Sequence, residues 1–187
     1  MSRLQDILKF NEQFVNNHEY EAYRTSKFPD KKLVVLTCMD TRLTELLPRA
    51  MNLRNGDAKL IKTAGAVVSH PFGSIMRSLL VAVYELGAEE FFVVGHHGCG
   101  MANLDADRMV RAMQAHGISR KTISTLQGAG VDIRSWLQPL RSIPESVLAT
   151  ITMIRNHPLV PADLKIEGLI IDPDTGKLEQ VTKDATN

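Results

Sequence analysis

Short apolar runs alternate along the chain with longer stretches in which apolar residues recur at helical spacing. Leu4, Ile7, Leu8, Phe10 and Phe14 fall near the helical repeat, which predicts an amphipathic helix over residues 4–17 laid on the body as an arm. Residues 33–37 form a nearly unbroken apolar run with two valines, as suits a strand buried on both faces of a parallel sheet. Further strands are predicted at 58–62 and 91–94. Between them, residues 71–88 open with Pro71, carry apolar residues at intervals of three and four, and end at Gly87, the signals of a crossover helix. Another helix is expected after the glycine-rich loop that ends the third strand, with Asp105 and Asp107 near its first turn, where carboxylates complement the helix dipole. Residues 117–140 mix turn residues with apolar bursts and read as short helices and loops. Residues 144–158 predict one more helix, with His157 before its closing proline, and residues 165–182 predict two strands around the turn DPDTG. The pattern is α/β: a single domain over residues 1–187, with a mainly parallel central sheet flanked by helices, an N-terminal helical arm and a C-terminal β hairpin.

Composition narrows the picture. With 187 residues and 44% hydrophobic content, the chain can fill one sizeable core and has little room for two. Its 22 basic and 21 acidic side chains leave a formal charge of +1, so no strong global field recruits nucleic acid or an anionic membrane. Charges and amides interrupt the apolar residues of the N-terminus, unlike a signal peptide, and no run approaches the roughly 20 apolar residues that span a bilayer. A soluble, cytoplasmic protein is expected. In a reducing compartment its two cysteines read as free thiols or metal ligands.

Those cysteines carry the candidate chemistry. Ligands of open parallel sheets collect beyond the carboxyl ends of the strands. Cys38 directly follows the first strand, and Cys99 lies in the loop GHHGCG after the third, three residues beyond His96. Two cysteines and a histidine make the nitrogen and sulfur donor set typical of zinc, and three protein ligands leave the fourth tetrahedral position for water or substrate. The alternatives are buried cysteines acting as small hydrophobes, a hydrogen-bonded structural histidine, or a Cys/His nucleophilic pair that would leave one cysteine unused. The cysteines are too far apart in sequence for a C-x-x-C redox motif, and Gly95, Gly98 and Gly100 do not match the phosphate-binding fingerprint. Asp40, two residues past Cys38, can approach the same metal, with Arg42 holding its carboxylate in a charge-assisted pair. Taken alone, Asp40 and Arg42 read first as an ordinary pair at a helix start; beside a thiolate-ligated zinc the pair has a specific use.

The order C-x-D-x-R after one strand and H-x-x-C after a later one resembles the β-class carbonic anhydrases, most of all their compact bacterial and archaeal branch. Here the motifs are Cys38, Asp40 and Arg42, then His96 and Cys99, and the likeness extends through KTAGAVV (62–68) to EGLIIDPDTGKLEQV (167–181). The resemblance implies reversible hydration of CO2 to bicarbonate and a proton by a zinc-bound hydroxide, with Zn2+ held by Cys38, His96 and Cys99. It also implies that Asp40, oriented by Arg42, accepts a hydrogen bond from that hydroxide, or in a closed state takes the fourth zinc position itself. Gly65 and Ala66 are expected to line the site through their backbone, and His97 and His70 are candidates for proton transfer by position alone. Gly98 departs from the branch, which often carries Asp there. A homodimer or an assembly of dimers is expected. Two rival functions remain on the same residues: hydrolysis of carbonyl sulfide or carbon disulfide, and a noncatalytic zinc-binding or regulatory role with Asp40 closing the site.

Overall fold

The computed structural model describes residues 2–181; Met1 and residues 182–187, including Thr182 at the end of the last apolar segment, lie outside the described residues. Helix α1 (Arg3–Asn16) begins with a capping box, in which Ser2 Oγ accepts the Gln5 N–H and Gln5 Oε1 accepts the Ser2 N–H. None of its residues is buried. After a 3-10 turn at Glu19–Tyr23, β1 (Leu33–Cys38) leads into α2 (Leu43–Ala50), β2 (Ala58–Thr63), α3 (Ser74–Tyr84) and β3 (Glu90–His96). Four helices follow, α4 (Ala106–Ala115), α5 (Arg120–Gly128), α6 (Ile133–Trp136) and α7 (Ile143–Arg155), and the chain closes with β4 (Lys165–Ile171) and β5 (Leu178–Gln180).

The five strands form one sheet in the order β2-β1-β3-β4-β5. The first four are parallel, and β5 folds back antiparallel on β4, giving the expected C-terminal strand pair. Every residue of β1 is buried, because β1 lies inside the sheet with a packed layer on each face. Val34 and Leu36 point into a core shared with Met76 and Leu79 of α3 and Val147, Ile151 and Ile154 of α7. Leu33, Val35 and Cys38 face the other layer, with Leu43 and Leu47 of α2 and with Val94, Cys99 and Ile171. β2 has only partly buried or exposed positions, consistent with its place at the sheet edge and its mixed sequence AKLIKT.

Two helices, α3 and α2, depart from the sequence reading. The crossover helix α3 begins at Ser74, because the backbone around Pro71 is used in a turn where Gly73 N–H bonds to the His70 carbonyl. α2 has no clear signature in the sequence: it is two turns long and holds Pro48 near its end. The parallel register pairs Thr37 with Val94, so β1 and β3 finish side by side. Cys38 is the last residue of β1 and His96 the last of β3, which sets both at the carboxyl edge of the sheet.

Candidate metal centre

Three side chains converge at that edge. Sγ of Cys38, Sγ of Cys99 and a ring nitrogen of His96 all lie within 4.8 Å of one another, and all three residues are buried. The two sulfurs are 3.9 Å apart. Two Zn–S bonds of about 2.3 Å meeting at a tetrahedral angle set their sulfurs about 3.8 Å apart, so this spacing suits one shared ion. His96 supports the same reading from its own hydrogen bonding. Its Nδ1 meets the His97 carbonyl oxygen at 2.9 Å, which assigns the proton to Nδ1 and leaves Nε2 as the basic atom. Nε2 is buried and has no hydrogen-bond partner among the described residues. A buried polar atom left unpaired is costly, and a metal bond is one way to satisfy it.

Local structure explains how the ligands are presented. The His97 N–H bonds to the Ile171 carbonyl at the end of β4, so β4 steadies the residue whose carbonyl orients His96. No residue type in the sequence signals that backbone contact. Cys99 caps a 3-10 turn at Gly100–Asn103, after Gly98 has turned the chain with φ of +64°. That left-handed region is free for glycine and next most tolerant of Asn and Asp, and nothing lies within 4 Å of a Cβ built at Gly98. Gly98 therefore makes this turn without steric cost. Gly65, with φ of +80°, lets a turn close against Cys38, where its N–H reaches the sulfur at 3.4 Å. A Cβ there would press on Leu140 and Met101 at 3.1 and 3.2 Å, contacts between distant segments that spacing alone does not reveal.

The protein environment separates the two thiols. Burial opposes ionisation of Cys38, but the neighbouring His96 ring and the backbone N–H groups around the sulfur, that of Gly65 among them, outweigh it and lower its pKa. Burial pushes the Cys99 thiol up, and the neighbouring Cys38 adds to the shift. The Cys38 sulfur in turn raises the imidazole of His96, although it approaches without the geometry of a full hydrogen bond to Nε2.

Asp40 stands beside this group rather than within it. Its Oδ1 accepts from the backbone N–H and the Nε–H of Arg42, both at 3.0 Å, and its Oδ2 accepts from Nη2 at 2.9 Å. This fork holds the Asp40 carboxyl down at about 2, so it is a carboxylate throughout the neutral range. Oδ2 lies 3.8 Å from His96 Nε2. Ala66 is buried, with φ of +58°, in the turn that follows β2. His97 turns its side chain outward to within 3.7 Å of Glu179, and His70 is exposed and uses Nδ1 to accept the Phe72 N–H. Neither belongs to the buried three-residue group.

The comparisons with known proteins agree with this geometry. The family model described as carbonic anhydrase matches residues 33–178, from the start of β1 to the start of β5. The chain is 54% identical over 187 residues to the Bacillus subtilis protein named "Putative carbonic anhydrase YtiB", with the whole of both chains covered. It resembles the crystal structure of β-carbonic anhydrase isoform I from Trichomonas vaginalis with a TM-score of 0.86 and 31% identity, covering 97% of this chain and 98% of that one. It is also 27% identical over 186 residues to a carbon disulfide hydrolase of Acidithiobacillus thiooxidans, covering 91% of this chain and 83% of the relative. The chain belongs to the β-carbonic anhydrase family.

Proposed function

We propose that this protein is a zinc-dependent carbonic anhydrase that hydrates CO2 reversibly to bicarbonate and a proton, with Cys38, His96 and Cys99 as the metal ligands. The observation that carries the reading is the convergence of two buried sulfurs and an unpaired imidazole nitrogen beside an Asp and Arg pair. When bound, zinc supplies a Lewis acid that makes water a nucleophile near neutral pH. The protein's own part is to hold and orient. Asp40 Oδ2 accepts a hydrogen bond from the attacking water and fixes where its lone pair points, while Arg42 keeps the carboxylate ionised and in place. Leu43, Leu47, Val94 and Ile171 surround the cysteines with apolar side chains, which suits a small uncharged substrate.

The pairing of Asp40 with Arg42 favours an open site over one closed by Asp40, because both carboxylate oxygens are engaged by the guanidinium. A noncatalytic role would need that fork to break and the carboxylate to turn to the metal. The likeness to a carbon disulfide hydrolase keeps one alternative substrate class in play, since carbonyl sulfide and carbon disulfide are linear molecules attacked at carbon in the same way. A cytoplasmic location and a homodimer, or an assembly of dimers, belong to the same proposal. No helix among the described residues is long and apolar enough to cross a membrane.

Stopped-flow CO2 hydration from about pH 7 to 9, on protein with its zinc quantified, tests the reading. Activity that rises with pH and disappears with the metal in Cys99→Ala is the expected result. Full zinc occupancy with no turnover of CO2 would end it, and turnover of carbon disulfide or carbonyl sulfide instead would transfer the site to the hydrolase reading.

A further inference from the structure

Cys38 and Cys99 are the chain's only cysteines, so a disulfide within one molecule has a single possible pairing. Their sulfurs lie 3.9 Å apart, against about 2.05 Å in a disulfide. Closing that gap requires movement, and the backbone around Cys99 has room for it. Cys99 stands between Gly98 and Gly100, and a Cβ built at either glycine meets nothing within 4 Å. Cys38 is fixed more firmly as the last residue of a fully buried strand, which makes the Cys99 loop the moving partner. The apolar surroundings favour the closed product as well. A disulfide is neutral and weakly polar, and it matches the neighbouring side chains of Leu43, Leu47, Val94 and Ile171.

We propose that this pair is a reversible oxidative lock: hydrogen peroxide converts Cys38 and Cys99 to an intramolecular disulfide, which expels the metal until a thiol reductant reopens the pair. The inference rests on the zinc reading given above and adds a means of control to the same site. In the first step one sulfur attacks a peroxide oxygen, the O–O bond breaks, and a sulfenic acid and one water are formed. In the second, the other sulfur attacks the sulfenic sulfur, the S–S bond forms, and hydroxide leaves to take up a proton as a second water. The balance is two thiols and one hydrogen peroxide to one disulfide and two waters. Cys38 and Cys99 are 5% and 3% exposed, which excludes bulky disulfides as direct oxidants, but a site that admits CO2 also admits a molecule as small as hydrogen peroxide. Proximity of the second sulfur intercepts the sulfenic acid before further oxidation.

The test takes zinc-loaded protein and, in parallel, the same full chain stripped by a chelator, and adds hydrogen peroxide in slight excess. Intact mass, free thiols and zinc released to a chromogenic chelator are followed together. In both samples the expected product has lost the mass of two hydrogens and both free thiols, remains monomeric in mass on a denaturing nonreducing gel, and in the loaded sample releases one zinc per chain. Dithiothreitol followed by zinc restores the starting mass and metal content. Cys99→Ser removes the resolving sulfur, so with about two or three equivalents of peroxide its Cys38 passes the sulfenic acid and gains two or three oxygens that dithiothreitol does not remove; the stripped wild-type sample carries the test if that variant misfolds. Mass gains of two or three oxygens in the wild type, a disulfide between chains, or zinc retained with both thiols intact would each overturn the lock. In those cases zinc binding and CO2 hydration measured before peroxide remain as evidence for the enzyme. Failure of the untreated protein to bind zinc overturns the metal reading and the lock together.

Discussion

Arg42 donates three N–H groups to a single carboxylate, a fixed geometry that a flexible ammonium cannot copy. If Asp40 orients the attacking water, its usefulness depends on that fork. Arg42→Ala is expected to lower kcat/KM for CO2 hydration about 10- to 100-fold while zinc content stays at one per chain, as metal analysis and stopped-flow kinetics on the same sample would report. Arg42→Lys should recover only part of the loss, because one ammonium cannot meet both oxygens. A wild-type rate in Arg42→Ala would remove Arg42 from the mechanism. At this scale type and spacing single out Cys38, His96, Cys99, Asp40 and Arg42 as candidates, the family resemblance implies their roles, and the fold gathers the first three with the Asp40 and Arg42 pair beside them. The contacts that steady them were not legible in the sequence. The Ile171 carbonyl behind His97 and the Gly65 N–H on Cys38 are backbone groups, and every residue offers the same ones whatever its side chain.

Strands and helices were readable to the degree that one element's own sequence determines its environment. β1, buried on both faces, announces itself as LVVLTC, and α7 carries its proline at the first turn and apolar residues at helical spacing. α2 escapes notice because two turns interrupted by proline carry too little periodicity, and the segment between α4 and α7 resolves into short helices around a small separate cluster of Val110, Ile123 and Ile133. Pairwise fit between elements is invisible until they meet. α7 crosses β3 and β4 where Gly95 and Gly168 leave room, and a Cβ on Gly168 would come to 2.8 Å of Val147 Cγ1 and 2.9 Å of Ile151 Cδ1. Gly168→Ala therefore forces helix and sheet apart. Overpacking of this kind costs about 1–3 kcal/mol, and at about 2–4 °C per kcal/mol the thermal midpoint should fall by about 2–12 °C. Calorimetry of the purified variant decides the point. An unchanged midpoint would mean that α7 yields without cost and that this close approach does not tie the helix to the sheet.

For the whole molecule, the unresolved demand of the fold is α1. A helix of 14 residues is marginal in water unless its apolar face packs on something, yet none of its residues is buried, and Leu4, Ile7, Leu8 and Phe10 are each more than half exposed. Within the chain it meets the following 3-10 turn, where Phe14 approaches Tyr23 at 6.2 Å between ring centroids. A second copy of the chain is the simplest surface to complete it, and with a formal charge of only +1 the copies repel one another little as they meet. The wild type is then expected to sediment as a dimer of 20.8 kDa chains at micromolar concentration. Ile7→Asp combined with Phe10→Asp would place two carboxylates in the apolar contact, and burying unpaired charge is costly enough to weaken the dimer about a hundredfold or more. Sedimentation equilibrium should show that variant shifted towards monomer, with circular dichroism confirming that the α/β body remains folded. A wild-type protein that stays monomeric, or a variant whose dimer is undiminished, would exclude α1 as the contact and leave its apolar face to some other partner.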